Sequence, residues 1–207
     1  MPEKAKLFSG FILDRIVQGE KFWRVVILTR EYGAQPCLVR IAGKNKTTCV
    51  PDLFDEAEIL LDKPKAGTDS ALRFAKEYRL VRRNVGISGN YSALVCASKF
   101  ASLLAKNTFP PDSHTGIYRL SENVFRAFGE KPNPDATYLK ALWTLARDNG
   151  YPVREDWFEN SCFEDREGIA AVLKTPLEQL CIDSRDITHY VHRLESWLSR
   201  EHQFIWE

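Results

Sequence analysis

The sequence predicts an α+β fold, in which a strongly bent N-terminal β-barrel is followed by an all-helical domain. Residues 8–81 contain five apolar segments separated by turns with Gly or Pro, which is the pattern of short β-strands. After residue 84, apolar residues recur at helical spacing between capping residues and helix breakers. Because 44% of the 207 residues are hydrophobic, the chain can bury a core. We place the domain boundary after residue 83, which gives domains at 1–83 and 84–207.

The predicted strands begin with a hairpin. Its two strands, FSGFILDRIV and FWRVVILTR, flank a turn that contains Gly19. A basic loop, GKNKTT, separates the third strand from the fourth. The three later strands span 37–42, 54–61 and 71–81. Five strands with an early hairpin and a polar loop midway are the outline of an OB-fold, a barrel that binds oligonucleotides and oligosaccharides.

The predicted helices are marked by capping and stop signals. Asn90 can cap the first helix, and Ser184 can cap the last one. Gly129 and Gly150 follow the second and third helices, where glycine commonly ends a helix. The apolar tail HQFIWE can dock on the helical domain. The predicted helices span 94–105, 115–128, 135–149, 166–173, 176–181 and 185–200.

The net charge of +1 is unevenly distributed along the chain. Residues 1–83 contain 16 Lys and Arg against 11 Asp and Glu, a balance of +5. Residues 84–207 contain 13 against 17, a balance of −4. A basic barrel joined to an acidic helical domain suggests that a polyanion binds the barrel.

Neither the cysteines nor the histidines form a metal-binding pattern. The chain has five cysteines and four histidines, without a CxxC pair or a zinc spacing. His189 and His192 lie three residues apart in the last predicted helix, but no third ligand is nearby. We therefore expect no metal and no other cofactor. The cysteines, which we expect to be free thiols, are Cys37, Cys49, Cys96, Cys162 and Cys181.

The sequence also indicates where the protein resides and which chemistry it lacks. No apolar segment reaches the roughly 18 residues that a membrane-spanning helix requires. The N-terminus, MPEKAKLFSG, has no apolar signal-peptide region. We therefore expect a cytoplasmic protein without a membrane partner. Since no GxSxG, P-loop or His/Glu metal motif is present, nothing in the sequence favours an enzyme.

Several segments, in the same order, resemble the RecO family of bacterial recombination and repair mediators. The opening GFILDRIVQGE…VVILTREYG is similar to the family's strand–hairpin–strand, and its turn holds Leu28, Thr29 and Gly33. The basic loop and the segment FDEAEILL follow. The run LWTLARDNGYPV is similar to the family's helix that ends in a Gly-Tyr turn. The resemblance covers nearly the whole chain.

The resemblance implies a DNA-binding mediator without enzymatic activity. Members of the family bind single- and double-stranded DNA and anneal complementary strands. They help RecR load RecA onto DNA coated by single-strand-binding protein (SSB), in the RecF pathway of DNA-damage repair. Two segments depart from the family. The four-cysteine zinc site after the Gly-Tyr turn is reduced to Cys162, so we predict no zinc. The C-terminal segment SREHQFIWE lacks a basic run, so we expect no DNA contact there.

Eight basic residues of the barrel are the candidate DNA contacts. Lys44 and Lys46 lie in the basic loop, where they can follow a phosphate backbone. Phosphate neutralisation would supply most of the affinity and make it fall with salt. For the loop lysines, the alternative is ordinary solvation. The full set is Arg15, Arg24, Arg40, Lys44, Lys46, Arg79, Arg82 and Arg83.

Three aromatic residues of the barrel are candidates for base stacking. They are Phe22, Trp23 and Tyr78. A stacked base adds about 1–3 kcal/mol to binding. The alternative for each of them is a place in the barrel core.

A second candidate site follows from the resemblance. Family members are thought to bind the acidic, apolar C-terminal tail of SSB in a groove of the helical domain. Such a site requires an apolar pocket and a cation for the terminal carboxylate. The candidates are Arg119, Arg126 and Phe125 in the second predicted helix. The alternative for the apolar residues of this helix is the core.

The alternative function is an OB-fold module that binds another protein and no nucleic acid. The net charge of +1 is the observation that favours it. Binding of a labelled single strand at two salt concentrations separates the two hypotheses, because only a DNA-binding protein would show a salt-dependent affinity.

Overall fold

The structure, a computed structural model, describes residues 6–41, 50–62 and 72–206. It consists of two compact units. The first comprises Met1–Asn84 and Thr108–Tyr118, and the second comprises Val85–Asn107 and Arg119–Glu207.

The first unit contains a closed five-stranded barrel. Its strands are β1 (Lys6–Gln18), β2 (Phe22–Thr29), β3 (Gly33–Arg40), β4 (Glu56–Leu61) and β5 (Arg73–Arg82). Their order around the barrel is β1-β2-β3-β5-β4, and β4 pairs with β1. The β3–β5 pair is parallel, and the other four pairs are antiparallel. The predicted barrel followed by helices is confirmed at this level, as an OB-like barrel.

The long strand β1 closes the barrel because it pairs with two neighbours. Residues 6–11 pair with β4, and residues 10–18 pair with β2. A register shift between Ile12 and Asp14 accompanies the change of partner, and such shifts bend a strand. Gly10 lies in the shared part, where a Cβ would be only 1.9 Å from the Leu28 carbonyl oxygen. The crossing therefore requires a residue without a side chain.

The predicted third strand starts four residues too late. The prediction treats Pro36 as a break, but β3 starts at Gly33 and Pro36 lies opposite Val26 of β2. Proline has no N–H for a sheet ladder. In the described residues β3 pairs with β5 only at Cys37 and Leu38, so Pro36 interrupts no hydrogen bond on that side.

The barrel core comes from alternate residues of the strands. Val25 and Ile27 of β2 point inward with Cys37 and Val39 of β3, as expected where every second side chain faces the interior. Trp23, Ala75 and Tyr78 pack against this core from its edges. The buried cluster consists of Phe8, Ile12, Val25, Ile27, Cys37, Val39, Ala57, Ile59 and Leu61.

Six helices follow the barrel in the described part of the chain. They are α1 (Val85–Ser88), α2 (Tyr91–Lys106), α3 (His114–Glu130), α4 (Pro134–Asp148), α5 (Phe163–Lys174) and α6 (Ser184–His202). The predicted cap of α2 is present, since Asn90 Oδ1 accepts a hydrogen bond from the Ala93 N–H at 3.1 Å. The cap of α6 is Asp183 rather than Ser184, because its carboxylate accepts from the Arg185 N–H at 2.8 Å.

Two predicted segments have different local structure. The segment after Gly150, which lies between two predicted helices, contains a π-helical turn, Val153–Phe158. The helix expected at 176–181 is a single 3-10 turn, Leu177–Gln179. None of the helices in the described ranges is both long and apolar enough to cross a lipid bilayer.

Candidate nucleic-acid interface

Five residues on three adjacent strands lie together on the side of the sheet away from the core cluster, and Leu38 among them is buried. Trp23, Val25 and Ile27 of β2 pack on the core, so the alternate residues Phe22 and Arg24 face outward. In the strand register, Phe22 lies opposite Arg40, Arg24 lies opposite Leu38, and Leu38 lies beside Phe74. We call this surface the β2–β3–β5 face; it consists of Phe22, Arg24, Leu38, Arg40 and Phe74.

The β2–β3–β5 face carries an aromatic pair, in which Phe74 is exposed and Phe22 is half-buried. The rings of Phe22 and Phe74 meet edge to face, with centroids 5.4 Å apart and an interplanar angle of 68°. Phe74 is 47% exposed, although large apolar side chains normally gain by burial. A base can stack on a solvent-facing ring without any sequence requirement. The pair can therefore act as a stacking platform.

The outward position of Phe74 could not be predicted from the sequence, because β5 is irregular. Strict alternation would place Phe74 on the same face as Tyr78. A register shift opposite Leu60 and Leu61 lies between them, so Tyr78 packs on the core and Phe74 points outward. Trp23 also packs on the core. Of the three predicted stacking residues, the core alternative therefore applies to Trp23 and Tyr78.

The two arginines of the β2–β3–β5 face have free guanidinium groups. Arg40 is exposed and Arg24 is half-buried. Among the residues that the structure describes, no side-chain hydrogen bond or ion pair reaches either of them. β2 and β3 contain no Asp or Glu. A phosphate arriving at this face would thus meet two cations that no carboxylate within the described ranges neutralises.

Arg15, by contrast, is held by the protein itself. Its Nη1 donates to the Pro51 carbonyl at 2.6 Å and lies 3.5 Å from the Asp52 carboxylate. Its guanidinium also stacks over the Trp23 ring, 4.7 Å from the centroid. These contacts fix Arg15 as a structural link between β1 and the segment before β4.

The three predicted DNA contacts at the end of β5 form ion pairs with residues of β4 or of the segment before it. Arg79 Nε donates to Glu58 at 2.9 Å, and Arg82 Nε lies 3.2 Å from Glu56. Arg83 holds the buried carboxylate of Asp55, 3.0 Å from Nη2. This apparent basic cluster is thus largely neutralised by carboxylates.

The loop lysines Lys44 and Lys46 lie outside the described residues. The described chain leads up to them from the β2–β3–β5 face, because Arg40 ends β3 and Ile41 follows. The Ile41 N–H donates to the Lys21 carbonyl at 2.8 Å, which places the end of β3 beside the turn between β1 and β2.

The residues predicted to bind the SSB tail do not form one site on α3. Phe125 is fully buried and packs edge to face on Phe100, with centroids 6.0 Å apart. It belongs to the core, so a peptide cannot reach it. Arg119 and Arg126 are exposed, and Arg126 Nη2 donates to Asn123 Oδ1 at 3.3 Å.

No group of three or more potential metal ligands occurs among the described residues. Cys162 and Cys181 are exposed free thiols, whereas Cys37 and Cys96 are buried. Burial raises the pKa of Cys37 to about 12. Burial, followed by the charge of Asp135, raises the pKa of Cys96 to about 12. Cys49 lies outside the described residues.

No protein-family model matches the chain, and a search of curated proteins finds none that matches it.

Proposed function

We propose that this protein binds single-stranded DNA on the β2–β3–β5 face and acts as a non-enzymatic recombination and repair mediator of the RecO type. The observation that carries the proposal is the pairing of a half-buried Phe22 with an exposed Phe74, beside two guanidinium groups that have no ion pair among the described residues, on one side of an OB-like barrel. OB-folds bind oligonucleotides on the face of strands 2 and 3 and on the adjoining loops. Phe22, Arg24, Leu38 and Arg40 belong to those two strands.

The chemistry of this face suits a single strand better than a duplex. Aromatic rings can stack only on bases that are not already stacked inside a helix, and arginines can follow the phosphates beside them. Neither the stacking nor the phosphate contact depends on the DNA sequence. The face is therefore expected to bind many single strands with similar affinity, as a mediator of strand annealing requires.

The mediator role extends this binding to partners. In this proposal the protein anneals complementary strands, binds duplex DNA as well, and acts with RecR when RecA is loaded onto SSB-coated DNA. Arg119 and Arg126 are the residues that support a contact with the acidic SSB tail. The supporting features are the resemblance of the whole chain and the exposure of these two arginines.

A titration of the protein with a fluorescently labelled oligo(dT) at two salt concentrations tests the proposal. We expect the logarithm of the binding constant to fall linearly with the logarithm of the salt concentration. The slope should be about −0.7 for each phosphate neutralised on a single strand. Absence of binding even at low salt would instead favour the protein-interaction module.

A further inference from the structure

The chain ends in an extended segment that contacts the helical unit as a peptide ligand would. α6 ends at His202, and Gln203 reverses the chain with a φ of 58°. Phe204 is 5% exposed and packs edge to face on Tyr151, with ring centroids 5.0 Å apart. The expectation that the tail docks on the helices is confirmed.

Asn107, which follows α2, pairs with the backbone of the tail. Its Nδ2 donates to the Ile205 carbonyl at 2.8 Å, and its Oδ1 accepts from the Ile205 N–H at 3.1 Å. A side-chain amide that pairs with both backbone groups of one residue replaces a neighbouring β-strand. Because the Ile205 side chain is 50% exposed, this contact recognises extended backbone rather than a particular side chain.

Trp206 is held at both its carbonyl and its side chain. Ser102 Oγ and Lys106 Nζ donate to the carbonyl at 2.7 Å and 3.2 Å. The indole N–H donates to the Tyr138 hydroxyl at 2.9 Å, and that hydroxyl donates to Glu195 at 2.9 Å. Since Tyr138 is 1% exposed, the indole reaches a polar group of the core. Trp206 is therefore an anchor residue.

These contacts do not depend on the covalent link between the tail and α6. The partners of Trp206 on α2 and α4 lie as many as 104 residues away in the chain. The link itself is a single residue, Gln203. A non-glycine residue in the left-handed region is strained, and this strain can relax when the tail leaves. An identical groove is present in every copy of the chain.

We propose that this groove, formed by Ser102, Lys106, Asn107 and Tyr138, is an extended-peptide site that can hold the tail of a second copy in place of the chain's own. Exchange of an identical terminal segment costs little, because the hydrogen bonds and ring packing broken within one chain form again between two chains. The attached tail competes at an effective concentration on the order of millimolar. Exchange is therefore favoured at high protein concentration or when docking within the chain is weakened.

Two full-length variants with complementary defects test the exchange. The donor, Asn107→Ala/Tyr138→Phe, keeps its tail but has a defective groove. The acceptor, Phe204→Ala/Trp206→Ala, keeps its groove but has a defective tail. Size-exclusion chromatography with light scattering should show monomers for each variant alone and a 1:1 complex for the mixture. Two monomers in the mixture would overturn the proposal.

A control and a second measurement exclude trivial explanations. A donor that also carries Trp206→Ala should form no complex with the acceptor, because neither chain then has an anchor. Wild type should shift towards dimer as its concentration approaches millimolar, whereas Trp206→Ala alone should stay monomeric. If Trp206→Ala dimerises as wild type does, the tail is not the exchanged segment and the proposal is wrong, even if the double variants do not fold.

Discussion

At the scale of single residues, the most constrained ionic group is the carboxylate of Asp55. It is fully buried and accepts hydrogen bonds from Arg83 Nε at 3.1 Å and from the Asp52 N–H at 3.0 Å. The Tyr78 hydroxyl lies 3.4 Å away. Arg83 also donates to the Val50 carbonyl at 3.2 Å. Arg83, predicted as a DNA contact, therefore has a clear structural role.

Removal of Arg83 should destabilise the fold. Arg83→Ala leaves a buried carboxylate without its cation, and breaking a buried pair costs about 3–5 kcal/mol. We expect the lower end of that range because the Arg83 side chain is 42% exposed. The matched control is Arg82→Ala, whose more exposed ion pair with Glu56 contributes about 0–1 kcal/mol. Urea unfolding measures both, and equal midpoints would contradict this assignment.

The cysteines should divide into reactive and protected thiols. With pKa values raised to about 12 by burial, Cys37 and Cys96 stay protonated, and the thiolate is the reactive form. Iodoacetamide should label Cys162 and Cys181 in the native protein. In the unfolded chain, the pKa of these two thiols returns to its ordinary value of 9.0. The free energy of unfolding should therefore fall as the pH rises above 9. Mass spectrometry of the labelled peptides checks the pattern of labelling. Urea unfolding at pH 8 and at pH 10 checks the loss of stability.

The two phenylalanines of the β2–β3–β5 face should contribute to DNA binding through stacking. Phe22→Ala and Phe74→Ala should each weaken oligo(dT) binding by about 1–3 kcal/mol if a base stacks on the ring. The fold should be retained by Phe74→Ala, since that side chain is already 47% exposed. Tyr91→Ala is the matched control, because Tyr91 is 81% exposed on α2. If both phenylalanine variants bind oligo(dT) with the wild-type affinity, no base stacks on these rings.

At the scale of elements, the hairpin and the five barrel strands could be predicted because turn residues and short apolar runs are local signals. The outward position of Phe74 could not, since the register shift in β5 depends on packing against β4. For the same reason Arg79, Arg82 and Arg83 looked like a basic cluster. Their carboxylate partners lie 21 to 28 residues earlier, and only strand pairing brings them together.

The loop between β3 and β4 should contribute electrostatically to the same interface. Lys44 and Lys46 lie outside the described residues, but their loop begins beside Arg40. Lys44→Ala/Lys46→Ala should weaken binding similarly for all DNA sequences and flatten the salt dependence, because phosphate contacts carry no base recognition. Anisotropy titrations with two unrelated oligonucleotides measure this. A sequence-dependent loss would indicate base contacts instead.

At the scale of the whole molecule, the charge is divided along the chain. The first 83 residues carry a balance of +5 and the remaining 124 residues one of −4. Within the barrel, much of the positive charge on β5 is paired with β4 carboxylates. Among the described barrel strands, Arg24 and Arg40 of the β2–β3–β5 face keep guanidinium groups without a carboxylate partner, which counting charges in the sequence could not show.

The most direct test of the central claim compares two pairs of arginines in one assay. Arg24→Ala/Arg40→Ala removes the two unpaired cations of the β2–β3–β5 face, whereas Arg79→Ala/Arg82→Ala removes the same charge from ion-paired positions. Oligo(dT) affinity is measured for both variants over a range of salt concentrations. We predict that the magnitude of the salt slope falls by about 1.4 in the first variant and changes little in the second. Equal losses, or a larger loss for the ion-paired arginines, would contradict it.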